Sequence, residues 1–386
     1  MGKREIKKKY FILSGLGLND NNRGTAALGY GAFSFLVQKG FLKPDEELLK
    51  IQYVRNPFKR RFEVEELNIQ GNSWKKRTVY LWSVHKRLLR KCGVVIPFME
   101  LARLIKQIDF VAALNGGDGF SDIYNTSTFM MRLPDTLFAM KTGIPVIQLP
   151  QTMGPFTDKE NYELATRILR YSKAVFVRDK NYIDELDKLG VKYELTQDLS
   201  AFMQPEPWDI DIKPNSVGIN VSGLCYSNTF RALSGQFDEY PNLINQLISH
   251  FQKKEVHVYL IPHSYRYGDP EPSNDDMVAC EQAYNRLESK ENVTFVNQDL
   301  TSPKVKYVIS RMSFFVGSRM HANFAAIYTG VPVFGLAYSY KFEGAFRANG
   351  LNAEKQTLMI NNIRAEEIEG IIQNIEDFYA CSVNVK

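Results

Sequence analysis

The chain has 386 residues, 44% of them hydrophobic and 24% charged, with a net charge of +5. That composition is one of a folded soluble protein, and the length exceeds what one ordinary core organises, so two domains of similar size are expected. The positive charge is gathered at Lys3 to Lys9, Arg55 to Arg61 and Lys75 to Lys91, which favours acidic small molecules or an anionic membrane surface over a nucleic-acid groove. Cys92, Cys225, Cys280 and Cys381 lie far apart without Cys-x-x-Cys spacing or a nearby His set, so they read as reduced thiols of a cytoplasmic protein with no structural metal. Phe11 to Leu13 gives way at once to Gly15, Gly17 and Asn19, too short for a signal-peptide core, and no apolar run approaches the roughly 20 residues of a spanning helix.

Tyr10 to Ser14 predicts a first strand, Gly15 to Gly24 a polar exit loop, and Thr25 to about Gln38 a first helix. Gly15 and Gly17 alone, without full Gly-x-Gly-x-x-Gly spacing, are weak support for a dinucleotide site. Leu48 to Val54 and Phe62 to Leu67 read as strands and Val79 to Arg90 as a helix; Lys75-Lys76-Arg77 and Lys86-Arg87 suit a solvated face, with a membrane- or polyanion-facing patch as the alternative. Asp109 to Leu114 is a further strand, ending in Asn115-Gly116-Gly117-Asp118-Gly119. Two adjacent glycines there imply a tight turn against a ligand or another backbone segment, while Asp118 and Asp122 either orient hydroxyls or cap the next helix. Strands at Pro145 to Pro150 and Ala174 to Val177 follow, with helices Asn161 to Tyr171 and Tyr182 to Leu189. Recurring strand, polar exit and helix mark a doubly wound α/β domain. Arg178 at a strand exit suits an anion, or an ion pair with Asp179; Asp198 belongs to the same edge.

The proline-rich, polar segment 205–213 marks the expected linker between domain 1–204 and domain 214–386. Val217 to Val221 and Val256 to Ile261 restart the strand pattern, and His263 at the second exit is a candidate ligand contact; His85, His250 and His257 read as structural. Ser302 to Ser310 is a helix and Glu366 to Phe378 a closing helix, free to pack back on the first domain. Between them, Phe314 to Val316 forms a short buried strand ended by Gly317. Ser318 is placed to cap a helix running from Arg319 to Thr329. Free amides and the helix dipole at such a corner, with Arg319 and His321 in the first turn, make an anion site with proton-transfer capacity; a surface ion pair and a packed ring are the competing account.

Taken together, the exit loops resemble the polysaccharide pyruvyl transferase family. The residues that carry this are Asn22-Arg23-Gly24, Asn115-Gly116-Gly117, Gln151 to Pro155, Val177-Arg178-Asp179, Asp198 to Ala201, Pro262-His263, Ser318 to His321 and Tyr338 to Lys341. The resemblance implies two facing doubly wound Rossmann-like domains in a GT-B-like α/β fold, with a cleft between them. It also implies transfer of a pyruvyl group from phosphoenolpyruvate, as co-substrate and without cofactor or metal, to two hydroxyls of a cell-surface saccharide, forming a ketal. On that basis His321 is the expected acid and Arg319 its partner. Arg178, Ser318, His263 and Lys341 are expected on the donor, and Asn22, Arg23, Gly116, Gly117, Asp118 and Asp122 on the acceptor. The acceptor is free or lipid-linked, the latter placing the protein at the inner membrane face. The alternatives are a nucleotide-sugar glycosyltransferase on the same scaffold and a non-catalytic relative in polysaccharide assembly.

Overall fold

A computed structural model describes residues 9–43, 45–56, 62–92 and 99–383; the basic run before Lys9 and much of the Arg55 to Arg61 cluster lie outside them. The chain divides into two compact units. One comprises Met1–Gly17 and Leu28–Phe202, the other Leu18–Ala27 and Met203–Lys386.

The first unit holds strands β1 (Tyr10–Leu13), β2 (Glu47–Val54), β3 (Phe62–Ile69), β4 (Asn72–Trp82), β5 (Ile108–Ala113), β6 (Val146–Gln151), β7 (Ala174–Val177) and β8 (Glu194–Leu195). They form one sheet in the order β3-β4-β2-β1-β5-β6-β7-β8. Every pairing is parallel except β3 with β4. β1 and β6 are buried along their whole length, as parallel strands covered on both faces must be. The strand order reverses between β1 and β5, so the exits of these two strands flank the crevice where open α/β sheets take ligands.

The expected helix from Val79 is a strand as far as Trp82, and the helix begins at Ser83. β3 and β4 are joined by Gln70 and Gly71, at φ 54° and 77°, a left-handed pair that suits the twist of a tight hairpin. Its register sets Glu66 opposite Lys75 and Glu65 opposite Lys76. Lys76 pairs with Glu65, and Arg77 lies 3.6 Å from Glu47. Lys76 and Arg77 of β4 thus have acidic neighbours within their own sheet.

The second unit holds β9 (Val217–Asn220), β10 (Val258–Leu260), β11 (Val293–Phe295), β12 (Phe314–Gly317), β13 (Val333–Ala337) and β14 (Thr357–Met359). The sheet is parallel throughout, in the order β11-β10-β9-β12-β13-β14, and its switch point lies between β9 and β12. Residues 18–27 join this unit because the Asn21 carbonyl accepts the Tyr265 amide at 3.0 Å and the Arg23 amide donates to the His263 carbonyl at 3.0 Å. The segment 205–213, expected as the linker, is docked here: Trp208, Ile210 and Ile212 pack on a cluster containing Tyr259 and Phe315. The Tyr259 hydroxyl donates to the Asp211 carbonyl at 2.9 Å. The closing helix, Ile368–Val383, buries Ile368, Ile371, Ile372 and Ile375 in the core of this same unit.

Candidate functional site

In the second unit the chain leaves β12 at Gly317, where a Cβ would fall 1.9 Å from Asn323 Oδ1; only glycine lets the Asn323 amide reach back and donate to the Gly317 carbonyl at 3.1 Å. Ser318 is not the helix cap. It is fully buried and its hydroxyl accepts from the Tyr240 hydroxyl at 2.7 Å. The N-cap position falls to Arg319, with no side-chain cap bond, so the helix Met320–Ile327 opens with uncapped amides at the switch point.

Arg319 is more deeply set than a surface anion ligand. Its Nε donates to Asp276 at 3.0 Å, and its Nη2 donates to Asp276 and to Asn274 at 2.7 Å each. Burial opposes its charge, but the Asp276 carboxylate outweighs that and raises the guanidinium pKa. Tyr338 lies beside the same guanidinium as a further partner, so Arg319 is held by Asp276, Asn274 and Tyr338 together. His321, in the first turn of the helix, is half-buried, with its ring edge-on to Phe324 at 5.5 Å. It lies against the backbone of Gly24, where a Cβ would come within 2.5 Å of the ring.

His263 joins this group. Its backbone amide donates to Asp276 at 3.1 Å, and its ring pKa is held well below the usual value by burial and then by the charges of His321, Arg23 and Arg319. It is thus a neutral ring at pH 7. Because an unfolded histidine takes a proton near pH 6.5 and this folded one resists it, stability should fall on acidification from pH 7 to 5, by up to about 1.4 kcal/mol per pH unit. Chemical unfolding across that range, compared with His263→Asn, checks this: the substitution should flatten the slope.

Asn22 and Arg23, expected on the acceptor, lie with His263 in the second unit. Arg23 donates to Asp299 at 2.7 Å, to the Leu300 carbonyl at 2.7 Å and to the Asp20 carbonyl at 2.8 Å, and it stacks on Tyr265. Asn22 Oδ1 accepts the Gly24 amide at 2.9 Å. Both side chains tie the segment down and place Gly24 against His321. Lys341 opens the exposed side of the helix Lys341–Ala348.

In the first unit, Gly116 and Gly117 take φ of 77° and 87° directly after β5, conformations that favour glycine. The exit of β6 zips onto this loop through Thr152 N to Gly117 O at 2.7 Å and Gly154 N to Phe120 O at 2.8 Å. A Cβ on Gly117 would lie 3.0 Å from Arg178 Nη1. Arg178 donates to Asp198 at 2.6 Å and to the Thr152 hydroxyl at 3.1 Å; burial lowers its pKa, but Asp198 and Asp179 more than restore it. Asp118 accepts from the Tyr124 hydroxyl at 2.6 Å. Asp122 is fully engaged, by the Thr157 amide and hydroxyl, the Asp158 amide and the Asn161 side chain, which holds its pKa down against burial. That set makes Asp122 a structural clamp.

A polysaccharide pyruvyl transferase family model matches residues 22–340. The chain belongs to this family. It is accordingly a transferase of polysaccharide biosynthesis. Among solved structures it is similar to a putative UDP-N-acetylglucosamine 2-epimerase from Listeria monocytogenes, at 9% identity and TM-score 0.52, covering 98% of this chain and 90% of that one. It is also similar to a UDP-GlcNAc 2-epimerase from Neisseria meningitidis (12% identity, TM-score 0.48, 99% and 95% covered) and to E. coli ADP-heptose LPS heptosyltransferase II (10%, 0.45, 96% and 98%). At such identity the Listeria likeness shows the fold alone, the two α/β units of a GT-B-like chain.

In this pyruvyl transferase family member the residue that sequence reasoning missed is Asp276. Asp275-Asp276 signals a helix start, yet only the fold shows the second carboxylate buried under the exits of β9, β10 and β12. Among the described residues no helix is long and apolar enough to cross a membrane, and no cluster of three or more His, Cys, Asp or Glu is arranged to hold a metal.

Proposed function

We propose that this transferase moves the pyruvyl group of phosphoenolpyruvate to two hydroxyls of a saccharide, giving a cyclic ketal and phosphate. The observation that carries the reading is the grouping at the β12 exit: uncapped amides, a permanently charged Arg319, and His321 in the same first turn. A small, multiply charged acid needs fixed cations and dipoles, and its enol carbon needs a proton. His321 delivers that proton to the methylene carbon, leaving oxocarbenium character at the central carbon. A saccharide hydroxyl attacks there, phosphate leaves, and the second hydroxyl closes the ketal. Arg319 and the helix amides hold the donor's anionic groups. The glycine turn at Gly116 and Gly117, with Asp118 beside it, is assigned to the acceptor. The reading places the enzyme in the cytoplasm, and at the inner face of a membrane if the acceptor is lipid-linked.

Purified protein given phosphoenolpyruvate and a saccharide should release phosphate only when both are present. Release of nucleoside diphosphate from a nucleotide sugar instead, or of nothing with either donor, would overturn the reading. Gly24→Ala tests the ring's placement. A displacement near 1 Å can cost about 100-fold in turnover, whereas alanine suits a helix first turn at least as well as glycine. Turnover should therefore fall far more than the melting temperature.

A further inference from the structure

We propose that Arg132, with Tyr124 and Asn115, forms a subsite for an oxyanion, a carboxylate or a phosphate, carried by the acceptor saccharide. The inference rests on the assignment of the β5 exit to the acceptor and names a chemical class that assignment leaves open. Arg132 ends the short helix Thr126–Met131, and its Nη1 donates to the Asn115 carbonyl at 2.9 Å. Its guanidinium lies against Gly119, where a Cβ would come within 1.4 Å of Nη1, and next to Gly116, where the nearest approach would be 3.8 Å. The loop is thus shaped around this guanidinium. Glycine at position 119 is what admits it.

Three other arginines of the candidate sites are balanced by acids: Arg23 by Asp299, Arg178 by Asp198 and Arg319 by Asp276. Among the described residues no carboxylate pairs with Arg132. A half-buried guanidinium with a carbonyl as its partner keeps its full positive charge and most of its N–H donors for something else. Beside it the Tyr124 ring is 52% exposed, with the guanidinium 5.8 Å from its centre, and the Tyr124 hydroxyl is fixed by Asp118. A rigid exposed ring offers an apolar face to the C–H side of a sugar, and a carboxylate beside it accepts sugar hydroxyls.

Asn115 supplies an independent sign. It is 2% exposed, and neither its side-chain oxygen nor its nitrogen has a protein partner, although leaving such atoms unmet costs about 1–3 kcal/mol. Its backbone is held by Gln151 at 2.9 Å on one side and by Arg132 on the other. An amide kept buried and unmet between two such anchors fits a loop completed by a bound polar group. A charged hydrogen bond from Arg132 to an oxyanion would add a contact a neutral sugar cannot make.

Calorimetric titration of the intact protein tests this without turnover. The probes are a uronate-containing disaccharide, its neutral hexose counterpart and a hexose 1-phosphate, against wild type, Arg132→Gln, Arg132→Lys and Tyr124→Ala. Wild type should bind at least one charged probe about 10- to 100-fold more tightly than the neutral one. Arg132→Gln should bring that ratio near 1, and Arg132→Lys should restore part of it. Tyr124→Ala, at an exposed position that leaves the fold undisturbed, should weaken all saccharides together. Preference for the uronate identifies a carboxylate acceptor, and preference for the sugar phosphate a phosphorylated or lipid-phosphate-linked one. Equal binding of charged and neutral probes by wild type, no binding of any, or a ratio that survives in Arg132→Gln overturns the proposal. Wild type that discriminates but releases no phosphate from phosphoenolpyruvate would sink the reaction and leave the subsite standing.

Discussion

Replacing His321 by Asn is expected to lower ketal formation by about 100- to 10,000-fold, the range over which a positioned acid contributes, with donor affinity changed only a few-fold. The reasoning separates holding from protonating. In the proposed reaction the donor's charges are met by Arg319 and by the first-turn amides of the helix Met320–Ile327, none of which the substitution removes. Asparagine fills much of the ring's place against Phe324 and Gly24, and it still donates a hydrogen bond. What it lacks is an exchangeable proton near neutral pH. His263 provides the internal contrast. Its ring, kept neutral by burial and by neighbouring positive charge, has no proton to give at pH 7 as an imidazolium, so His263→Asn should cost much less turnover. Phosphate release and deuterium uptake at the methyl carbon in heavy water would be measured for both variants. Turnover within a few-fold of wild type in His321→Asn, or a larger loss in His263→Asn, would move the acid to another residue.

The corner that carries His321 was legible because it is local. A buried run of Phe and Val, a glycine, and an apolar helical spacing all fall within a dozen residues, and β12 and its helix lie where that pattern puts them. The same holds for β5 and the Gly116-Gly117 turn. What the sequence hides is whatever depends on distant partners. Ser318 has the chemistry of a cap, but the fold turns its hydroxyl to Tyr240, 78 positions away. The β3–β4 hairpin went unread because its turn uses Gln70-Gly71, and glutamine lacks the short side chain that makes Asn-Gly a recognisable left-handed pair. Asn22 precedes the helix Arg23–Gln38 and Arg23 begins it, yet they bond to residues near 263 and 300. Arg132 ends a six-residue helix too short to show a period. In each case the deciding neighbour is remote in the chain, so local pattern carries no trace of it.

Asp276→Ala is expected to cost about 3–5 kcal/mol of stability as well as activity, the penalty for stripping a buried charge of its partner. The Asp276 carboxylate is wholly buried and accepts from the Gly223 amide at 2.8 Å, the Ser264 amide at 2.9 Å, the His263 amide at 3.1 Å, the Asn220 side chain at 3.2 Å and Arg319. Alanine takes the acceptor from the Gly223, His263 and Ser264 amides at once, leaves Asn220 only the Ile261 carbonyl, and strands the Arg319 charge. Arg319→Ala removes the charge instead, but the carboxylate keeps its four other donors. Its urea midpoint should therefore shift by clearly less than that of Asp276→Ala, while its turnover should fall at least as far. If Arg319→Ala destabilised as much as Asp276→Ala, the ion pair alone would hold this corner, and the carboxylate's bonds to the β9 and β10 exits would be incidental. If Asp276→Ala left the midpoint unchanged, a water or a neighbouring side chain would have to satisfy five buried donors. The first-turn geometry around Arg319 and His321 would then be set by the helix itself and not by the acid beneath it.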